Sequence, residues 1–195
     1  MILINTYENR FYLWIKLIFF IGGDRLDILI VVDMQNDFVY GSLKNDEAIK
    51  IVPNVKKYID NFSGEVLYTK DTHYENYLDT NEGKHLPIKH CILGTVGHNI
   101  IKELDPKNAK IFQKETFGSV ELACYLEYVN SKNKINNVVL IGVCTDICVL
   151  ANAVVIKTHL PEINVIVESS CCAGITKKSH KAALCAMKSL QIEVR

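Results

Sequence analysis

The sequence predicts a single α/β domain with a mostly parallel central sheet and helices on both faces. Three observations point there. From Leu26 onward, short β-branched runs alternate with amphipathic stretches of helical spacing, the order produced when crossover helices return a chain to a parallel sheet. The strand candidates are continuously apolar rather than alternating, as strands covered on both faces are. The chain has 195 residues, 49% of them hydrophobic and 23% charged, enough for one sizeable core.

The elements follow in order. Asp27–Val32 is the first strand. Pro53–Phe62 has helical spacing with proline in its first turn, and Ser63 and Gly64 end it. Glu65–Thr69 is the second strand. The polar segment from Lys70 to about Gly97 is far longer than a typical connection and gathers His, Asp and Glu; loops of that length are functional or disordered. Ile111–Gln113 is a short strand, Ser119–Asn130 a helix and Asn137–Val143 a strongly buried strand. Asp146–His159 is helical, Asn164–Glu168 a strand, Lys177–Ser189 a helix and Gln191–Val194 a last strand. No repeat or low-complexity segment interrupts the domain, which spans residues 26–195.

Residues 1–25 stand apart as an apolar extension. Phe11–Gly22 is an apolar run broken by Lys16, shorter than the roughly 20 residues a membrane span needs. It lacks the basic segment before and the small-residue cleavage site after that mark a signal peptide. Its Ile, Phe, Tyr, Asn, Leu and Lys content is that of translated AT-rich non-coding DNA. The run Gly22–Leu26 can be encoded by a purine-rich ribosome-binding stretch followed by TTG, an alternative start codon. The expectation is a native protein that begins at Leu26, with a membrane anchor or an extra helix as competing readings. The intact mass of protein made from the native gene tests this, and a mass that includes residues 1–25 overturns it.

Lys+Arg and Asp+Glu balance at 22 each, which leaves no electrostatic footprint for nucleic acid or an anionic membrane. The expected partner is a small molecule. Seven cysteines, an odd number without disulfide-scaffold spacing, read as reduced thiols of a cytoplasmic protein. Cys91, Cys124, Cys171, Cys172 and Cys185 are expected to be buried packing residues.

Polar residues with chemical uses follow the strands in turn. Asp33 follows the first, Asp71 and His73 the second, Lys114 the third and Val143 and Cys144 the fourth. Open α/β sheets place their sites in the loops after the carboxyl ends of strands. Singly, each residue has an ordinary reading: Asp33 as a turn former, Lys114 as a solvated lysine, Cys148 as packing. Their convergence at one sheet edge is the stronger signal.

The segments Val31-Val-Asp-Met-Gln-Asn-Asp-Phe38, Lys114-Glu-Thr-Phe-Gly-Ser119 and Gly142-Val-Cys-Thr-Asp-Ile-Cys-Val149 resemble the signatures of the isochorismatase-like cysteine hydrolases, the superfamily that includes the nicotinamidases and pyrazinamidases. The resemblance runs in order from Leu26 to the C-terminus. It implies Cys148 as nucleophile, Asp33 as general base and then acid, and Lys114 as the third member. It also implies an oxyanion hole from the backbone N–H groups of Cys144 and Cys148, arranged by a cis peptide between Val143 and Cys144. The chemistry suits these roles. A thiolate attacks, so the thiol pKa is expected to fall; the first turn of the helix from Asp146 favours negative charge there. Lys114 can stabilise that charge, and Asp33 can take the thiol proton and return it to leaving ammonia. Cys144 stands where the family more often has alanine, and its thiol is read as passive rather than as a redox partner of Cys148.

Asp71-Thr-His73, Glu82-Gly-Lys84 and Pro87-Ile-Lys-His90-Cys91 resemble the nicotinamidase metal site. The implied ligands are Asp71, His73, Glu82 and His90, holding one divalent ion (Zn, Mn or Fe) whose shell is completed by water. His90 is preferred to His85 because Pro-x-x-His-Cys matches the family's loop; His85, His98, His159 and His180 are read as solvated. The ion would orient the pyridine nitrogen of the substrate rather than activate its carbonyl. Phe38, Leu43, Leu86 and Phe117 are implied as walls around a flat ring. The implied reaction converts nicotinamide to nicotinate and ammonia through a Cys148 thioester, in pyridine nucleotide salvage, with pyrazinamide also accepted. A carbamoyl or ureido substrate on the same trio is the alternative. An isochorismatase would need neither the thiol nor the metal site, and a non-catalytic binding protein would keep the pocket without turnover. Homo-oligomers are common in the family, and no interface is legible in the sequence.

Overall fold

A computed structural model describes residues 26–195, so the expectations for residues 1–25 lie outside the described residues. Six strands, β1 (Leu26–Val32), β2 (Glu65–Asp71), β3 (Lys110–Lys114), β4 (Ile135–Val143), β5 (Asn164–Ala173) and β6 (Glu193–Val194), form one parallel sheet in the order β3-β2-β1-β4-β5-β6. The connecting helices are α1 (Asn36–Val39), α2 (Asp46–Asn61), α3 (Asn81–His85), α4 (Val120–Lys132), α5 (Leu150–His159) and α6 (Lys177–Ser189).

The continuous apolar reading of β1 follows from its position between β2 and β4. Ile28, Ile30 and Val32 pack on one face against residues of α4, α5 and α6, such as Leu126, Ile156 and Met187. Leu29 and Val31 point to the other face, against Ile51 and Val55 of α2. Successive strand residues point to opposite faces, so a strand covered on both sides has to be apolar throughout. Each such side chain fully buried contributes about 1.5–3 kcal/mol.

Several boundaries differ from expectation, for local reasons. The helix expected at Pro53 begins at Asp46, and Pro53 lies inside it, on the exposed face where a carbonyl without its N–H donor can be hydrated. Its start is set by Asn45, whose side chain accepts the Glu47 N–H at 2.9 Å, with Asp46 and Glu47 placing negative charge in the first turn. β5 runs past Glu168 to Ala173 because both its edges find partners: Ser169 N–H donates to the Arg195 carbonyl at 2.9 Å, and Cys172 and Ala173 pair with Gly142 and Val143 of β4. The helix expected from Asp146 opens as a π-helical turn, Thr145–Val149, before α5.

The long segment after β2 is ordered. His73 N–H donates to the Cys91 carbonyl at 3.0 Å and Leu93 N–H to the His73 carbonyl at 2.8 Å, which folds the loop back on itself at the sheet edge. Thr80 caps α3 by accepting the Gly83 N–H at 3.0 Å. Gly83 is required there, since a Cβ would sit 2.0 Å from the Tyr77 carbonyl oxygen. Gly142 has φ +114°, and a Cβ on it would lie 2.2 Å from the Val32 carbonyl oxygen, so only glycine lets β4 pass β1 this closely.

Cys91, Cys171 and Cys172 are buried, but Cys124 and Cys185 are exposed. Both fall on the outward faces of α4 and α6, whose inner faces are Leu122, Ala123 and Leu126 and Ala183 and Met187. Among the described residues, no helix is long and apolar enough to cross a membrane.

Candidate active site

The strand ends converge as parallel pairing demands. Asp71 and Lys114 are register partners at the ends of β2 and β3, so their side chains emerge side by side. Asp33 follows β1 in the left-handed region, φ 48°, which aspartate tolerates better than most residues. Lys114 Nζ lies 2.6 Å from Asp33 Oδ2, 3.0 Å from Asp71 Oδ1 and 3.4 Å from Cys148 Sγ. The ammonium donates to Asp71 Oδ1 and Cys148 Sγ and pairs by charge with Asp33 Oδ2. Thr69 donates to the other Asp33 oxygen at 2.6 Å. Asp33, Lys114 and Cys148 are all buried.

Burial works against the Lys114 charge, but Asp33, Cys148 and Asp71 more than offset it and hold its pKa well above the ordinary value. Burial raises the Asp33 pKa, with Lys114 opposing. The Cys148 thiol is also pushed well above its ordinary value, by burial first and then by the Asp33 charge, with Lys114 opposing. This runs against the expectation of a lowered thiol pKa: burial and the neighbouring Asp33 carboxylate outweigh one lysine and a helix N-terminus. Burial likewise pushes the Cys144 thiol up to about 12. The Val143–Cys144 peptide is cis, and Cys144 caps the π-helical turn that contains Cys148.

Asp71 also faces the second cluster. Its Oδ2 is 3.0 Å from His73 Nε2 and 3.5 Å from His90 Nε2, and Glu82 Oε1 lies 3.7 and 3.8 Å from the same two nitrogens. One ligand atom each from Asp71, His73 and His90 lies within 4.8 Å of the others. The His90 ring nitrogen Nδ1 is 2.8 Å from the Ile88 carbonyl oxygen, which can only accept, so Nδ1 carries the proton. In neutral His90 the lone pair of Nε2 then faces the carboxylate oxygen, lone pair against lone pair, an arrangement that a cation between them relieves. Two imidazoles and two carboxylates are a donor set suited to Zn, Mn or Fe, so these residues fit a divalent ion. Burial works against the Asp71 charge, but His73, His90 and Lys114 hold its pKa below the usual carboxylate range. His85 stands outside the cluster, exposed on the cavity wall, with Nδ1 2.8 Å from the Asn81 carbonyl.

A cavity of about 900 Å³ opens over both clusters. Phe38, Leu43, Leu86 and Phe117 line it with Cys144, Cys148, Asp71, Glu82 and His90; Ile147 and Ile175, which the sequence did not single out, complete its apolar wall. Phe38 packs 5.6 Å from the His90 ring.

Several buried polar residues hold this geometry through backbone contacts. Gln35 accepts the Asp71 N–H at 2.7 Å and donates to the Asp71 and His98 carbonyls at 2.9 Å each. Asn152 donates to the carbonyls of Cys148 (2.8 Å) and Phe117 (3.2 Å) and accepts the Ser119 N–H at 3.0 Å. Asp37 accepts the Cys91 N–H at 2.7 Å, tying the loop of His90 to α1. Gln35 and Asp37 are signalled in the sequence only by their place inside the first motif, and Asn152, three residues past the third, has no such signal. His98 is buried, not solvated, because the segment around it pairs with the chain after β1: Ile101 N–H donates to the Met34 carbonyl at 3.0 Å. Burial lowers its pKa to about 4, so it is neutral, 3.0 Å from the Thr72 hydroxyl. His180, half-buried, contacts the Thr145 hydroxyl at 2.8 Å, and His159 lies 3.3 Å from Glu127.

The isochorismatase-domain family model matches residues 27–195. Solved structures share the fold. The pyrazinamidase of Pyrococcus horikoshii, in complex with zinc, is 32% identical, with 87% of this chain and 98% of that one covered and a TM-score of 0.75. The nicotinamidase/pyrazinamidase of Bacillus subtilis is 26% identical, with coverages of 87% and 98% and a TM-score of 0.70. The N-carbamoylsarcosine amidase of Thermoplasma acidophilum is 28% identical, with coverages of 87% and 95% and a TM-score of 0.71. No curated protein matches the chain by sequence. With its motifs, its six-stranded parallel sheet and a family match over nearly all the described residues, the chain belongs to the isochorismatase-like hydrolases, among which its neighbours include nicotinamidases and pyrazinamidases.

Proposed function

We propose that this protein is a metal-dependent cysteine amidohydrolase that converts nicotinamide to nicotinate and ammonia and accepts pyrazinamide, serving pyridine nucleotide salvage in the cytoplasm. The observation that carries this reading is the position of Asp71. One of its oxygens pairs with Lys114 in the Asp33–Lys114–Cys148 group, and the other faces His73 and His90. A ring amide in the cavity can therefore meet a nucleophile and a ring-nitrogen anchor at once. When bound by Asp71, His73, Glu82 and His90, a divalent ion (Zn, Mn or Fe) supplies a Lewis-acidic anchor for the pyridine nitrogen.

The chain's own residues carry the steps. Phe38, Leu43, Leu86 and Phe117 hold the ring. Cys148 Sγ bonds to the carboxamide carbon as its proton passes to Asp33, and Lys114, 3.4 Å from the sulfur, stabilises the developing charge. The oxyanion accepts the backbone N–H groups of Cys144 and Cys148. As the C–N bond breaks, Asp33 returns the proton to the leaving nitrogen and ammonia departs, leaving a thioester. Asp33 then takes a proton from the water that attacks the thioester; the C–S bond breaks, the proton returns to sulfur and nicotinate leaves.

The test is ammonia release from nicotinamide and pyrazinamide by metal-loaded protein and by protein stripped with a chelator. Turnover that disappears on stripping and returns with zinc, manganese or iron is the expected result. Turnover that survives complete stripping would remove the metal from the reading. A carbamoyl or ureido substrate is the second reading, favoured by the likeness to N-carbamoylsarcosine amidase. Ammonia release from such a compound, with none from nicotinamide, would establish it instead.

A further inference from the structure

Away from the cavity, one group of side chains has the composition of a metal site. Cys124 and Glu127 stand one turn apart on α4, where residues three apart are neighbours, and His159 is the last residue of α5, which packs alongside. The sulfur, one carboxylate oxygen and one ring nitrogen all lie within 4.8 Å of one another. Glu127 Oε1 is 3.3 Å from His159 Nδ1. We propose that Cys124, Glu127 and His159 form a second, peripheral zinc site that ties α4 to α5.

The distances suit this. Zinc bonds of roughly 2.0–2.3 Å in a tetrahedral shell put ligand atoms roughly 3.3–3.8 Å apart. The three atoms are therefore within about 1.5 Å of the required separations. All three terminate side chains at the surface, with Cys124 and Glu127 exposed, so small rotations close the gap. The donor set selects the ion. Magnesium and calcium take oxygen ligands, whereas a thiolate, an imidazole and a carboxylate together suit zinc, with water in the fourth position.

The surroundings favour a cation over a simple ion pair. The end of α5 presents carbonyls without helical partners, whose partial negative charge attracts a cation. A Glu127–His159 pair, 3.3 Å apart, uses only two of the three groups. It leaves Cys124 unexplained, a thiol placed beside a carboxylate. A divalent ion accounts for all three groups. Its place in the fold gives it a structural use: α5 continues from the turn that carries Cys148, and α4 follows the loop after Lys114, so a staple between them braces the helices behind the catalytic segments.

The test compares proteins stripped of metal and then titrated with zinc, the bound ion being counted after gel filtration. Cadmium titration followed by thiolate-to-cadmium absorption reports on the sulfur directly. Wild type is expected to bind one zinc equivalent more than Cys124→Ser or His159→Gln, each substitution weakening the site by roughly tenfold or more. Cadmium absorption falls in Cys124→Ser, and zinc raises Tm further in wild type than in either variant. Cys185→Ser, which removes the other exposed thiol, keeps the full complement, and turnover is the same in all four proteins. Equal zinc stoichiometry in wild type, Cys124→Ser and His159→Gln overturns the proposal, as does loss of the equivalent in Cys185→Ser instead. The reading is a difference between proteins, so the presence or absence of an ion at Asp71 shifts all of them alike.

Discussion

On the proposed function, replacing Cys148 with alanine should lower nicotinamide turnover by roughly 10⁴-fold or more while leaving the fold intact. The size follows from the route: without the sulfur no thioester forms, and the remaining groups can only orient substrate for direct attack by water. The fold survives because the substitution orphans no charge. Lys114 keeps its contacts of 2.6 Å to Asp33 and 3.0 Å to Asp71, and the lost sulfur leaves a small cavity beside the core, costing about 1 kcal/mol. Steady-state ammonia release gives the rate. Hydroxylamine gives the intermediate, since it should divert the wild-type thioester to the hydroxamate and yield none from Cys148→Ala. Turnover in Cys148→Ala within tenfold of wild type would sink the thioester route. Since the resting thiol pKa is raised, thiol-alkylating reagents should meet a slow nucleophile in the free enzyme, and reactivity should not be taken as a measure of catalytic competence.

The features that sequence patterns reveal here are those dictated by local composition. The apolar run of β1 required cover on both faces, and the strand-helix alternation required a parallel sheet, whose carboxyl edge then gathers Asp33, Asp71 and Lys114. What could not be read depends on partners distant in the chain. Gln35 acts through the backbone of Asp71, 36 residues away, and Asn152 through the carbonyls of Cys148 and Phe117; a side chain that bonds a backbone leaves no matching residue type to find. The start of α2 was obscured by Pro53, a good first-turn residue, although Asn45 followed by Asp46 and Glu47 is itself a capping signal. The direction of the Cys148 shift was hidden because helix position and a nearby lysine are visible in the sequence, whereas burial beside Asp33 is a property of the packed site.

Replacing Lys114 with methionine should cost both activity and stability, and the pH dependence distinguishes its cause. Met fills much of the volume but leaves Asp33 and Asp71 facing each other without a cation in a buried site. Breaking a buried ion pair from one side typically destabilises by about 3–5 kcal/mol, and that is the loss expected at neutral pH. Loss of the charge beside the sulfur should lower kcat/KM by at least roughly 10²-fold. The sign of the pH effect follows from Asp33, whose native pKa already lies above its ordinary 3.8 because of burial, with Lys114 opposing. Removing Lys114 raises it further. Between the wild-type and variant pKa values of Asp33, the variant's native state binds the proton that wild type has released. Its stability relative to wild type therefore falls as pH rises through that window, and the deficit narrows on acidification. Urea unfolding of both proteins across a pH series measures this. Adding Asp33→Asn to the variant removes the stranded charge and should recover part of the stability but none of the turnover, a non-additivity expected of groups in one network. A deficit below 1 kcal/mol, or one that is flat with pH, would mean that Lys114 does not compensate the buried carboxylates, and the electrostatic account of the trio would fall with it.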